Sequence, residues 1–286
     1  MNKNDINFCL PNLKQSWLLV ALIFAGAMAG SVLLVVLRLL PTPQWVDSVI
    51  ESQSIEYLMQ MLLPFVAIPF ISRAVKGNPL AEEPYISGVP INKPEFGELG
   101  PVLYTLTALL LIIGAGVVIE PLGSIIPMSD SIKELFEKVF GGSNLTDLIL
   151  ATAILAPVCE EVLCRGIMQR GMCAAMPPWK AILWASFIFA FIHLNPWQAI
   201  PAFILGLALG WVYFQSKCIW IPILMHAANN TISIILIKLH PETLTEESML
   251  TLLPPDLRIP VYLAAVALTI GTALLLWHKG AKRQLS

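Results

Sequence analysis

Charge is scarce in this chain. Of its 286 residues 13% are Asp, Glu, Lys or Arg, and 17 basic against 19 acidic side chains leave a formal net charge of −2. No basic-aromatic patch and no phosphate-cradling glycine loop is present, so nucleic acid and nucleotide partners have no support. The five cysteines, Cys9, Cys159, Cys164, Cys173 and Cys218, lack paired spacing, which argues against a disulfide framework or a zinc module. The HExxH helix of zinc proteases is missing, as are internal repeats and low-complexity tracts.

Apolar side chains dominate instead, at 57% of the chain with a mean hydropathy of +0.75, outside the range of soluble globular proteins. A bilayer core about 30 Å thick needs roughly 20 apolar residues per helical crossing. That template predicts an all-α, polytopic transmembrane bundle of about eight spans, near 16–40, 55–75, 101–119, 145–170, 180–195, 197–214, 219–238 and 258–277. The first span contains "FAGAMAGS", but its apolar run continues through "VLLVVL", too far for a signal-peptide core, and is read as an uncleaved anchor.

Basic residues orient the bundle. Lys3 and Lys14, then Arg73, Lys76 and Lys93, then Arg170 and Lys180, and finally Lys279, Lys282 and Arg283 fall on one side, so both termini are expected in the cytoplasm. Lys133, Lys138, Lys238 and Arg258 fit this pattern less well.

Three regions are expected: residues 1–143, with spans one to three; a core at 144–238; and a last loop and span at 239–286. Within the first, residues 77–100 form a Pro-, Gly- and acid-rich polar connection. Residues 131–140 place Ile132, Leu135, Phe136, Val139 and Phe140 on one helical face, which suits a helix in the interface plane or a helical loop packed on the protein. Gly26 with Gly30, and Gly206 with Gly210, are four apart and would let helices approach closely.

Against this background a few polar residues stand out. "APVCEEVLCRGI" puts Glu160, Glu161 and Arg165 in the fourth span; "FIFAFIHLNPW" puts His193 in the fifth; "IPILMHAANNTIS" puts His226, Asn229 and Asn230 in the seventh. Ionisable groups within a span cost several kcal/mol and make a functional site the default reading. At 1.5 Å per residue from the basic flanks, Glu160, His193 and His226 lie about 15, 20 and 14 Å deep, near a common level. Glu161 and Arg165 are four apart and can pair, either as a buried tie between helices or as part of the chemistry, whereas Glu160 points about 100° away and is left free. Such a carboxylate in low dielectric suits a general base. His226 and Asn230, also four apart, can hold an oxyanion together or serve as interhelical glue, the role expected of Asn229. Pro157 cannot donate to the Ala153 carbonyl, so a kink and a polar cavity are expected beside Glu160.

The ordered trio Glu160-Glu161-x-x-x-Arg165, Phe189-x-x-x-His193 and His226-x-x-x-Asn230, on separate apolar segments, resembles the CAAX protease and bacteriocin-processing (Abi) family of intramembrane proteases. The match spans about residues 144–238. The resemblance implies a membrane endopeptidase in which Glu160 and His193 activate water and His226 and Asn230 stabilise the oxyanion, with Glu161, Arg165 and Phe189 in support. It implies a peptide or membrane-protein substrate, the lipid bilayer as partner and a bacterial plasma membrane as setting, with oligomeric state open. No cofactor is expected; the alternative is a zinc ion on Glu160, His193 and His226. The rival reading is a non-catalytic membrane protein, either a proton-coupled transporter using the same carboxylates or a peptide-binding immunity factor. Cys159 and Cys164 have no positioned activating partner in the sequence and are read as small hydrophobes. His240 and His278, just past span ends, receive no role. No motif is assigned in residues 1–143.

Overall fold

A computed structural model describes residues 10–41, 43–76, 91–123, 129–137, 144–240 and 249–282. The described residues form helices and short 3₁₀ turns, with no strand. In chain order the helices are α1 (Leu13–Arg38), α2 (Gln44–Ile50), α3 (Gln53–Lys76), α4 (Gly100–Gly123) and α5 (Asp130–Phe136), followed by α6 (145–175), α7 (Pro178–Phe191), α8 (Pro196–Ser216), α9 (Trp220–Leu239) and α10 (Pro255–Lys279).

Six of these are long and apolar enough to cross a bilayer: α1, α3, α4, α8, α9 and α10. The chain is therefore a multi-pass membrane protein. The two further spans predicted from sequence, 145–170 and 180–195, are helical but irregular. α6 alternates α and π turns, with π segments at Ile149–Leu155 and Val162–Gln169. α7 has 14 residues, a rise of about 21 Å, and so falls short of a full crossing. Of the expected interface helix 131–140, residues 130–136 are helical, with one further π-helical residue at 137; residues 138–140 lie outside the described residues, as do 77–90 of the polar connection.

Small residues set the helix spacing where the sequence suggested. A Cβ at Gly26 would lie 2.6 Å from the Gln60 carbonyl oxygen, and one at Gly30 would lie 2.9 Å from Met59 Cβ, so α1 and α3 pack backbone to backbone. The α1 start is closed by a reciprocal cap in which Asn12 Oδ1 accepts from the Gln15 amide at 3.1 Å and Gln15 Oε1 accepts from the Asn12 amide at 2.9 Å.

One end of the bundle gathers both described chain ends. Gly171 at the end of α6 lies against the Pro11 backbone, and a Cβ at Gly97 would lie 2.5 Å from the Gly280 carbonyl oxygen. Between them, residues 91–95 run as an extended strap over the α8–α9 turn. Lys93 and Glu95 amides donate to the carbonyls of Lys217 (2.8 Å) and Ser216 (2.7 Å), and the Tyr213 hydroxyl donates to the Ile91 carbonyl at 3.0 Å. Lys217, at φ 48°, makes the left-handed turn that ends α8.

Candidate active site

The site begins with a backbone irregularity in α6. In the first π turn the Ala156 amide donates five residues back, to Ala151. The next bond in that pattern would run from residue 157 to Thr152, but residue 157 is proline and has no N–H. Asn230 of α9 supplies the donor: its Nδ2 lies 2.9 Å from the Thr152 carbonyl oxygen. The sequence located the orphaned carbonyl at Ala153 on α-helical counting; the π register moves it one residue earlier. A carbonyl in lipid needs a partner, and here the partner is a motif residue. Asn229 Nδ2 in turn donates to Asn230 Oδ1 at 3.4 Å, a bond within α9 rather than the interhelical one expected of it.

Two turns along α6 the carboxylates separate as the sequence implied. Glu161 and Arg165 are both 0% exposed, and Arg165 Nη1 donates to Glu161 Oε1 at 2.8 Å. The same oxygen lies 3.0 Å from His226 Nδ1, so the histidine of the third motif meets Glu161. Arg165 is further held by the Gly206 carbonyl at 3.1 Å, and Gln169, one turn on, by the Gly210 carbonyl at 2.9 Å. The Gly206/Gly210 pair therefore leaves room for two buried polar side chains of α6: a Cβ at Gly210 would lie 2.7 Å from Gln169 Oε1.

Glu160 is 8% exposed and turns to another neighbour. The Tyr57 hydroxyl of α3 donates to its Oε1 at 3.1 Å. Nothing in the sequence flagged Tyr57, since tyrosine in an apolar helix is commonplace.

His193 is not inside a helix. α7 ends at Phe191, and His193 sits in the turn before α8. The Asn195-Pro196 pair stops the helix early: proline disfavours helical backbone in the preceding residue, and Asn195 at φ −139° caps α8 by accepting from the Gln198 amide at 2.8 Å. The turn is tight enough to put Leu194 at φ 54°, in the left-handed region where a leucine is strained. Asn195 Nδ2 donates to the His193 carbonyl at 3.0 Å, and His193 Nδ1 lies 2.8 Å from the Phe189 carbonyl oxygen. A carbonyl only accepts, so Nδ1 carries the proton and the Nε2 of the neutral ring has a free lone pair.

Phe189 unites the motifs. Its ring meets His193 edge-on at 5.2 Å between centroids and His226 at 5.5 Å, and the Arg165 guanidinium stacks over it at 4.4 Å. Through this one ring, groups from α6, the α7–α8 turn and α9 face a shared region. Glu161 Oε2 and Arg165 Nε are buried there with no hydrogen-bond partner among the described residues.

Metal binding can be tested against this geometry. Among the described residues no three His, Cys, Asp or Glu side chains converge as a metal ion requires. The Glu160, His193, His226 zinc set expected as the alternative is not assembled among them.

Residues 142–232, the stretch that carries all three motifs, match the family described as "Type II CAAX prenyl endopeptidase Rce1-like". This stretch is thus similar to the CAAX protease family. Consistent with that, the chain is 27% identical over 94 residues to "Putative membrane peptidase YdiL" of Bacillus subtilis (strain 168), across 33% of this chain and 38% of that protein. The match thus spans well under half the length of the relative. No solved structure matches the chain. The matched stretch coincides with α6 to α9, the helices that Phe189 ties together, and leaves α1 to α5 and α10 outside it.

Proposed function

We propose that the chain is an intramembrane endopeptidase that hydrolyses peptide bonds with a water activated by Glu160 and His193. The observation that carries this reading is the clustering of polar motif side chains from three separate segments around Phe189, within a stretch of CAAX-protease type. The description of that family and the name of the Bacillus relative both support a peptidase.

In the proposed reaction Glu160 takes one proton of the attacking water as general base and returns it to the leaving amine as the C–N bond breaks, while the Nε2 lone pair of His193 accepts a hydrogen bond from the water's other O–H. The tetrahedral oxyanion is met by His226 and Asn230. His226 Nδ1 is committed to Glu161, so Nε2 donates to the oxyanion when the ring carries both protons, with Glu161 as counter-charge. Asn230 gives one N–H to Thr152 and retains a second. Glu161 and Arg165 are the electrostatic frame; Phe189 sets the spacing of the two imidazoles. The substrate is a peptide or membrane protein reached within the bilayer of a bacterial plasma membrane, with both chain termini in the cytoplasm.

The test uses purified protein in liposomes, offered two sets of quenched-fluorescent peptides, one apolar and membrane-inserted, one prenylated at a C-terminal CAAX cysteine. Cleavage of either set, with ¹⁸O from labelled water appearing in the new carboxyl end, is the expected result. Failure to cleave both, or proton-coupled uptake of an uncleaved peptide, overturns the reading.

A further inference from the structure

The polar contact to Glu160 comes from outside the CAAX-protease stretch, and its anchoring suggests a purpose. Tyr57 sits one turn inside the start of α3, and that start is fixed by Asp147 at the head of α6. The Asp147 carboxylate accepts from the Ser52 hydroxyl (2.7 Å), the Gln53 amide (2.7 Å), the Ser54 hydroxyl (2.5 Å) and the Ser54 amide (3.3 Å), capping α3 with a side chain of the neighbouring helix. On its other side α3 is pressed against Gly26 and Gly30 of α1 through Met59 and Gln60. Tyr57 therefore stands on a helix held on two sides, with its ring packed in the core shared by α1, α6 and α7.

We infer that Tyr57 is a positioning residue for the reaction, orienting the Glu160 carboxylate by donating to Oε1. The inference rests on the peptidase reading above. A glutamate has three side-chain torsions, and a base loose about them spends little time in line with its water. Fixing Oε1 from α3 leaves Oε2 as the oxygen that takes the proton. Small displacements of a reacting group cost up to about a hundredfold in rate. The N-terminal helices, in which no motif was found, thereby become part of the catalytic apparatus, and a fragment holding residues 142–232 alone would lack the group that orients its base.

The experiment compares wild type, Tyr57→Phe, Glu160→Gln, Glu160→Asp and the double variant Tyr57→Phe/Glu160→Asp in liposomes, using the peptide from the two sets that is cleaved fastest. Tyr57→Phe removes one hydroxyl and keeps the ring. It is expected to lower kcat about tenfold to a hundredfold with KM unchanged within about twofold and the melting temperature preserved, a split that a merely structural role does not produce. In the Glu160→Asp background, where the carboxylate is one methylene too short to meet the phenol, the same change is expected to cost less than about twofold by the logic of a double-mutant cycle. A wild-type kcat in Tyr57→Phe while Glu160→Gln is inactive overturns the inference and leaves the peptidase reading standing. Equal losses from Tyr57→Phe in both backgrounds also overturn it. Full activity in Glu160→Gln removes the peptidase reading and the inference together.

Discussion

The helix pair α1/α3 and the helices α6 to α9 solve the same problem, packing in lipid, by different means. α1 and α3 approach through Gly26 and Gly30, with backbone against backbone. The α6–α9 region is joined by side-chain hydrogen bonds that cross between helices: Glu161 to His226, Arg165 to Gly206, Gln169 to Gly210 and Asn230 to Thr152. The first arrangement is generic and tolerates exchange of one apolar residue for another. The second is specific, because each buried polar group depends on one partner. The proposed reaction is set where packing is specific, yet the hydrogen bonds of Tyr57 to Glu160 and of Asp147 to the start of α3 join the generic half to the specific one.

Substitutions can break or sharpen this contrast. Beside Glu160→Gln, the largest change in activity among these is expected from His193→Ala, a loss of about a thousandfold in kcat/KM with little change in melting temperature, since His193 is a turn residue whose Nδ1 meets the Phe189 carbonyl. Arg165→Met comes next and strikes the frame. It leaves Glu161 buried without its strongest partner and is expected to destabilise by about 3–5 kcal/mol, read as a lowered thermal transition in detergent, whereas Glu161→Leu with Arg165→Met together should recover much of that loss.

Smaller effects separate the two packing styles. Asn230→Leu deprives the Thr152 carbonyl of its donor, for about 1–3 kcal/mol, and should also lower kcat. Gly26→Leu forces a side chain into the Gln60 carbonyl and is expected to cost about 1–3 kcal/mol through backbone separation of α1 and α3, lowering stability more than rate. Lys279→Gln, which breaks the exposed pair with Glu98 at 2.5 Å, should change neither stability nor activity measurably. An Asn230→Leu variant as active as wild type would move that residue from chemistry to glue.

Much of the fold was legible because a bilayer forbids unpaired backbone, so long apolar runs must be helices; six of the eight expected spans are helices long enough to cross, and the other two are helical over most of their length. The motif residues were legible for the converse reason, being polar where polarity is costly. What stayed hidden depends on partners distant in sequence. Periodicity cannot reveal the π turn that, with Pro157, leaves the Thr152 carbonyl for Asn230 of α9 to meet. Nor can spacing within α9 show that His226 turns to Glu161. The early end of α7 was visible in Asn195-Pro196, a stop signal that the hydropathy window overran. Tyr57 carried no signal: its hydroxyl acquires meaning only beside Glu160.

The claim on which everything else turns is that the Glu160 carboxylate drives hydrolysis. The direct measurement is single-turnover cleavage of the fastest peptide by Glu160→Gln in liposomes, alongside its thermal transition. A fall of at least about a thousandfold with the transition unmoved is the expected result. Cleavage at the wild-type rate by a folded Glu160→Gln protein would contradict it.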